Sequence, residues 1–269
     1  MKIDDPRWVS AQYQSSENFD ARARIYELFD VDAVRWPRFA FEHLRLKDRE
    51  RVLEVGCGTG ILWAANADRI PAGVSLVLTA ASPGMLEESR RRLARLPVAP
   101  ELRVADVQSL PFADASFDAA IANHMLDHVP DRARALSELA RVLRPGGRLH
   151  AATYPWTHLL ELRELVARLG MPRAMLPGGW RPGEFDLDGA LDEIAAVLRV
   201  ERVDRRDSAL AVTDPDVATA YVRSVGREST PPDALERLRA HIARQIELCG
   251  SFRVQISAVL ITASKPRAR

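Results

Sequence analysis

The sequence predicts an α/β fold, a mostly parallel sheet covered by helices on both faces. Three observations predict it. Between residues 48 and 153, short apolar runs alternate with longer amphipathic ones. The first apolar run ends in a glycine-rich turn, Glu54-Val55-Gly56-Cys57-Gly58-Thr59-Gly60, that opens a helical run. The last helical run of this stretch stops at Pro145-Gly146-Gly147, before another apolar run. Strands that alternate with helices can pair in parallel only if helices cross over the sheet, which buries both faces.

The elements follow in order. Residues 15–46 read as helical, with Ile25, Leu28, Phe29, Val34, Phe39, Phe41 and Leu44 as the apolar set and a break near Pro37. Residues 51–55 form a short buried strand, and 61–70 the helix after it, closed by Pro71. A second strand covers 74–79 and a second helix 83–96. Strands follow at 102–105 and 117–122, a helix at 131–143 and a fifth strand at 148–153. Beyond residue 153 the rhythm loosens. Helices are expected at 156–169, 187–198, 214–225 and 231–248, and strands near 200–212 and 253–263, the last returning to the sheet edge. The organisation is then an N-terminal helical cap (1–46), a ligand-binding core (47–153), insertions and a substrate-side cap mixed with late strands (154–250), and a final edge strand and tail (251–269).

Composition narrows the function classes. The chain has 269 residues, 47% of them hydrophobic, enough for a sizeable core. A formal net charge of +1 gives no bulk attraction to nucleic acid or to a membrane surface. Cys57 and Cys249 are the only cysteines, so neither a disulfide framework nor a metal motif is expected. The first ten residues lack the apolar centre of a signal peptide, and no run of about 18 apolar residues occurs. A cytoplasmic protein is expected, monomer or homodimer.

The glycine turn carries the chemistry. Gly56, Gly58 and Gly60 remove side chains, so a ligand can lie against the backbone. The spacing is not the G-x-G-x-x-G that seats a dinucleotide pyrophosphate, and no phosphate loop of the G-x-x-x-x-G-K-[ST] type occurs.

Further segments make a resemblance specific. Residues 52–60 resemble the first motif of class I S-adenosylmethionine-dependent methyltransferases, of the small-molecule, type 11-like branch. Ser82-Pro83-Gly84-Met85-Leu86, Ala105-Asp106-Val107-Gln108, Phe117-Asp118 through Asn123-His124, and Arg141-Val142-Leu143-Arg144-Pro145-Gly146-Gly147 resemble its later motifs, in order and at the right spacing. Tyr13 and Ala21-Arg22 match more loosely. The resemblance implies a Rossmann-like, seven-stranded sheet with an antiparallel final strand, and S-adenosyl-L-methionine as cofactor.

It also implies roles. Gly56, Cys57, Gly58 and Gly60 would lie against the methionine part of the cofactor, and Glu54 would steady the turn or meet its amino group. Ala80, at the position of the family's ribose-binding acid, Ala81 and Met85 would also line the cofactor site. Asp106 would accept from the adenine amino group, with Val107 against the ring. Asn123 and His124 would stand beside the transferred methyl, and Tyr13 would close over the site. Alternative readings stand beside these: Asp106 as a turn cap, His124 as a packed histidine, Tyr13 as packing.

One departure stands out. The family usually places an acid at the end of the second strand, where it accepts from both ribose hydroxyls; this sequence has Ala80. Hydrogen bonds to a charged partner contribute roughly 1.5–3 kcal/mol each, so cofactor binding is expected to weaken. The strand-four exit adds Asp127 beside His128, read either as a substrate-facing pair or as a polar cluster at a helix start.

Methyl transfer is a displacement at a sulfonium methyl, so catalysis is mainly positioning, with deprotonation where the acceptor is a hydroxyl or amine. The candidate bases are His124, His128, Tyr154 and His158; Tyr154, Trp156 and His158 follow the fifth strand, where the resemblance implies an acceptor pocket, and Trp180 with the 177–179 loop would form part of a lid, the alternative for these aromatics being loop packing. The expected function is methylation of a small molecule, as in natural-product tailoring. The alternatives are a methyltransferase-fold enzyme with a non-methylating cyclisation or rearrangement, or a non-catalytic partner protein.

Overall fold

Seven strands form one sheet in the order β3-β2-β1-β4-β5-β7-β6. They are β1 (Arg51–Val55), β2 (Ser75–Ala80), β3 (Glu101–Val104), β4 (Phe117–Asn123), β5 (Leu143–Thr153), β6 (Arg199–Val212) and β7 (Phe252–Ser264) in a computed structural model of the chain. The structure describes residues 4–171, 187–225, 231 and 233–267. The first five strands pair in parallel, and β7 runs antiparallel to both β5 and β6.

Alternation along each strand explains why the sheet is covered twice. Successive side chains point to opposite faces. Leu53, Val55, Ala120, Ala122 and Leu149 pack with Leu136 and Leu139 of helix α6 (Arg132–Val142) and Ile194 of α8 (Leu187–Ala195). Val52, Leu76, Leu78, Ala119 and Ile121 pack on the other face, with Trp63 of α4 (Ile61–Ala64) and Leu44 of α3 (Trp36–Leu44). A third cluster holds the far halves of β6 and β7 against α2 (Glu17–Phe29), α7 (Leu160–Arg168), α9 (Pro215–Val225) and α10 (Ala234–Cys249) through Ile25, Leu165, Leu210, Tyr221, Leu238 and Val254. Helix α5 (Pro83–Arg92) follows β2, and α1 (Pro6–Gln12) precedes the whole.

Strand order reverses between β1 and β4. The crossovers on either side of that point leave in opposite directions and open a crevice beyond the strand ends. The glycine turn at the end of β1 and the Asn123-His124 exit of β4 both stand there.

Several expectations need correction. The last strand is not an edge strand: β7 sits between β5 and β6, and β6 forms the edge. Its thirteen-residue register with β6 explains the placement, because a long apolar strand is best paired on both sides. The helical break lies at 30–35, not at Pro37, which occupies the first turn of α3 where its missing N–H is harmless. Leu28 and Val34 are exposed at 53% and 43%, so they leave the predicted apolar set. Residues 61–70 divide into α4 and a 3-10 turn, Ala67–Arg69. Helix α6 ends at Val142, and Pro145-Gly146-Gly147 lies within β5 at an irregularity in its pairing with β4. Among the described residues, no helix is long and apolar enough to cross a membrane.

The N-terminal segment is fastened to the edge strand. The Arg206 Nη2 donates to Asp30 Oδ2 at 2.6 Å with both side chains buried, and the Ser208 hydroxyl donates to Asp30 Oδ1 at 2.6 Å. The Val31 N–H donates to the Ala209 carbonyl.

Candidate active site

A cavity of about 980 Å³ opens above the ends of β1 and β4, walled on its far side by α2. The glycine turn forms its floor. Gly56 holds φ +62°, and a Cβ there would lie 2.9 Å from Cβ and Cγ of Met125, so only glycine fits both the backbone and the packing. Gly58, also at positive φ (+58°), carries its empty Cβ position toward Phe19 at 3.5 Å. Gly60 does not line the cavity; its Cβ position is closed by Leu93, so that glycine serves the packing of the turn on α5. Cys57 lines the cavity, but its thiol faces Ser89 at 3.7 Å, and burial pushes it up to about 12, so it stays a protonated, unreactive thiol.

Glu54, at the strand end, is buried. It accepts from Trp63 Nε1 at 2.6 Å, and burial pushes its carboxyl up to about 8. Ala80, Ala81, Met85, Asp106 and Val107 line the same cavity. The Asp106 carboxylate accepts from the backbone N–H and the side-chain amide of Gln108, at 2.9 and 3.0 Å, which is the turn-capping arrangement. Ala80 offers no carboxylate; among the described residues the acids that line the cavity are Glu27, Asp30, Glu54, Asp106 and Asp127.

Aromatic rings stack up one wall. Tyr154 lies between His124 and His158, with ring centroids 4.1 Å from each. Trp36 packs on His124 at 4.8 Å and donates from Nε1 to Asn123 Oδ1 at 3.0 Å. Tyr26 continues the column beyond His158, with Tyr221 beside it. His124 is held at φ +52°, its Nδ1 is buried without a partner, and burial pushes the ring down to about 3.

Hydrogen bonds sort the candidate bases. The Ser257 N–H donates to His158 Nδ1 at 3.1 Å, so Nδ1 carries no proton. Burial, the largest effect, and His124 hold that ring well below its ordinary value, so it is neutral with its proton on Nε2, directed at the Tyr26 hydroxyl 3.1 Å away. His158 therefore positions Tyr26. Burial holds Tyr154 well above the usual phenol range, so it is a donor. His128 differs. Its Nε2 meets the Tyr13 hydroxyl at 2.8 Å and stands 4.0 Å from Asp127 Oδ2, on the 3-10 turn Leu126–His128.

The N-terminal segment contributes more than the sequence reading assigned to it. Trp36, Phe19, Arg22 and Tyr26 all line the cavity, as does Tyr221. Phe19, Arg22 and Tyr26 are spaced three and four apart on α2, a helical-face signal that was present in the sequence. Arg22 donates from Nη1 to Gln12 Oε1 at 2.9 Å and lies 5.3 Å from the Tyr13 ring centre, while its Nη2 is buried without a partner. Tyr13 is anchored by its own carbonyl, which accepts from the Ser82 hydroxyl at 2.6 Å. The rest of the sequence-predicted pocket, Trp180 and 177–179, lies outside the described residues, and Trp156 is exposed rather than in the cavity wall.

Comparison with known proteins agrees with the fold. Residues 53–151 match the family described as "Methyltransferase domain". Over 147 residues the chain is 37% identical to a demethylmenaquinone methyltransferase of Beutenbergia cavernae, covering 51% of this chain and 58% of that one. It is 38% identical over 117 residues to a ubiquinone/menaquinone biosynthesis C-methyltransferase of a Geobacter species, covering 43% and 50%. The chain thus spans about half the length of the curated relatives it matches. A putative methyltransferase structure from Bacillus halodurans superposes with TM-score 0.61 at 18% identity, over 86% of this chain and 99% of that one. The [4+2]-cyclase SpnF does so with TM-score 0.61 at 18% identity, over 100% and 98%. At those identities the superpositions speak for the fold.

Proposed function

We propose that this chain, which carries a class I S-adenosylmethionine-dependent methyltransferase domain, methylates a small molecule held against the aromatic wall of its cavity. The observation that carries the reading is the convergence of the glycine turn, the Glu54 carboxyl and the Tyr13–His128 pair on one enclosed space.

The residues fit the cofactor. The empty Cβ positions at Gly56 and Gly58 leave backbone for its methionine part, Glu54 offers a buried carboxyl to its amino group, and the unpartnered Nη2 of Arg22 supplies a positive group for a carboxylate. Val107 would pack on the adenine, with Asp106 at the ring edge through an oxygen it shares with Gln108. Bound there, S-adenosylmethionine supplies an electrophilic methyl on a sulfonium. The protein's own work is to hold the acceptor and take its proton. His128 is the group placed to do so. The Tyr13 hydroxyl, in contact with Nε2, orients the ring or relays the proton. On this reading His124, whose ring burial pushes down to about 3, Tyr154, whose phenol burial holds protonated, and His158, whose Nδ1 is taken by the Ser257 N–H, serve as structure and not as bases. Their stacked column lines the cavity with aromatic groups, which suits an aromatic acceptor. One relative is named a demethylmenaquinone methyltransferase and another a ubiquinone/menaquinone biosynthesis C-methyltransferase, which puts quinone-type rings and their hydroxylated forms first in any acceptor panel.

The test is calorimetry with S-adenosylmethionine, followed by labelled methyl transfer to hydroxylated aromatic acceptors. Saturable cofactor binding and stoichiometric S-adenosylhomocysteine are expected; no binding at millimolar cofactor would sink the reading. Ala80 favours a second reading, in which the fold is kept and the reaction is a cyclisation or rearrangement without methylation. Substrate conversion without cofactor consumption would select it.

A further inference from the structure

A second cavity, of about 610 Å³, lies at the opposite end of the sheet from the glycine turn. It is formed where β5 and β6 begin and β7 ends, near Arg148, Arg199 and Ser264, which share one register. Its charge is lopsided. Seven cationic side chains line it against a single carboxylate, Glu201. Three of the seven are compensated: Arg148 by Glu50 at 2.8 Å, Arg199 by Glu201 at 2.7 Å and Arg202 by Asp204 at 2.5 Å. The other four, Arg45, Lys47, Lys265 and Arg267, make no ion pair among the described residues. Lys265 donates only to the carbonyls of Arg141 and Leu143. The chain has three lysines in all, and two of them are here. In a protein of net charge +1, this concentration is local and not a bulk property.

His150 adds an independent observation. It lines this cavity with its side chain 1% exposed; Nδ1 meets the Thr262 hydroxyl at 3.2 Å, and Nε2 is buried with no partner. Burial, Arg148 and Arg202 push the ring down to about 3, so it is neutral. A Thr262 hydroxyl that donates to Nδ1 leaves the ring proton on Nε2, a buried donor without a partner in a residue that lines the cationic cavity. A buried polar group without a partner is costly, and ligands are among the groups that satisfy it.

We propose that this cavity binds a small polyphosphorylated ligand, one carrying a diphosphate or triphosphate. The volume falls within the range of small-molecule sites, roughly 300–1,000 Å³. Four uncompensated cations within that space call for about three or four negative charges, a density that small molecules reach with linked phosphates. Guanidinium forks and ammonium groups are the side chains that hold phosphate oxygens. The cavity shares no lining residue with the methyl-transfer cavity, so the proposal stands independently of that function.

The test is calorimetry on the whole chain with inorganic tripolyphosphate, pyrophosphate and orthophosphate at fixed ionic strength, with sulfate as control. Saturable one-to-one binding is expected, tightest for tripolyphosphate. The Arg45→Glu, Lys47→Glu double variant reverses two exposed charges. It is expected to weaken tripolyphosphate at least tenfold and to leave the melting temperature and S-adenosylmethionine affinity unchanged. In imidazole nitrogen NMR, the His150 Nε2 resonance, assigned by its loss in His150→Gln, is expected to move with saturation. Equal affinity in wild type and double variant, a still His150 signal, or displacement by sulfate at matched ionic strength would mean an adventitious anion only and overturn the proposal. Tighter binding of an oligonucleotide than of tripolyphosphate, lost in the same variant, would overturn the small-ligand assignment.

Discussion

The Tyr13 hydroxyl lies 2.8 Å from His128 Nε2, across 115 residues of sequence. The contact joins the segment after α1 to the exit of β4, and two further ties, Ser82 to the Tyr13 carbonyl and Arg22 over the ring, keep it in register. Tyr13→Phe is expected to lower kcat about tenfold to a hundredfold with cofactor affinity little changed, and His128→Gln by about a hundredfold or more. Steady-state kinetics across pH check this. A His128→Gln enzyme with the wild-type pH profile would remove His128 as the base.

Glu54 ties stability to pH. Its carboxyl is raised from 4.5 to about 8 in the folded chain by burial, with the Trp63 hydrogen bond opposing. Between those values the native state holds a proton that the unfolded state has released. Stability contributed through this group therefore falls as pH rises from about 4.5 to about 8. Glu54→Gln, which keeps an oxygen for Trp63, is expected to flatten that slope and to be more stable than wild type at pH 8 by about 1–3 kcal/mol. Denaturant titrations at pH 5 and pH 8 decide it.

The same carboxyl predicts proton release on cofactor binding. An ammonium placed against Glu54 favours the ionised form, so binding at pH 7 is expected to expel up to about one proton per site. Calorimetry in buffers of different ionisation enthalpy reads this directly, and Glu54→Gln is expected to abolish it.

Ala80→Asp restores a carboxylate at the end of β2, inside the cavity. Two hydrogen bonds from ribose hydroxyls to that carboxylate are expected to tighten S-adenosylmethionine about tenfold or more. Unchanged or weaker binding would show that the ribose lies elsewhere or that the pocket has been rebuilt around alanine.

Gly56→Ala meets Met125 atoms 2.9 Å away and a backbone at φ +62°. A left-handed conformation costs alanine about 1–2 kcal/mol before any clash. Lower stability and weaker cofactor binding are expected together, since relief of the clash must move the strand-four exit. Thermal melts with and without cofactor test the pair.

Much of the core was legible because its signals are local. Val52-Leu53-Glu54-Val55 alternates between two buried faces, and Gly56 and Gly58 mark the left-handed turn within a few residues. The late elements were legible for the same reason: the 214–225 helix and the 200–212 strand emerge within one or two residues of their predicted bounds. The site wall was not. Trp36 reaches Asn123 across 87 residues, and Tyr26 reaches His158 across 132.

The sequence by itself therefore determined the strand–helix order, the glycine turn and the absence of an acid at Ala80, each written in contiguous residues. Tertiary structure alone decided which long strand is the edge, which partners the histidine nitrogens meet, and that α2 forms a wall of the cavity. Edge position depends on pairing between β6 and β7, some fifty residues apart. Proton placement depends on burial and on partners such as the Ser257 N–H, which stands 99 residues from His158. Such contacts follow from packing in three dimensions, and no local periodicity encodes them.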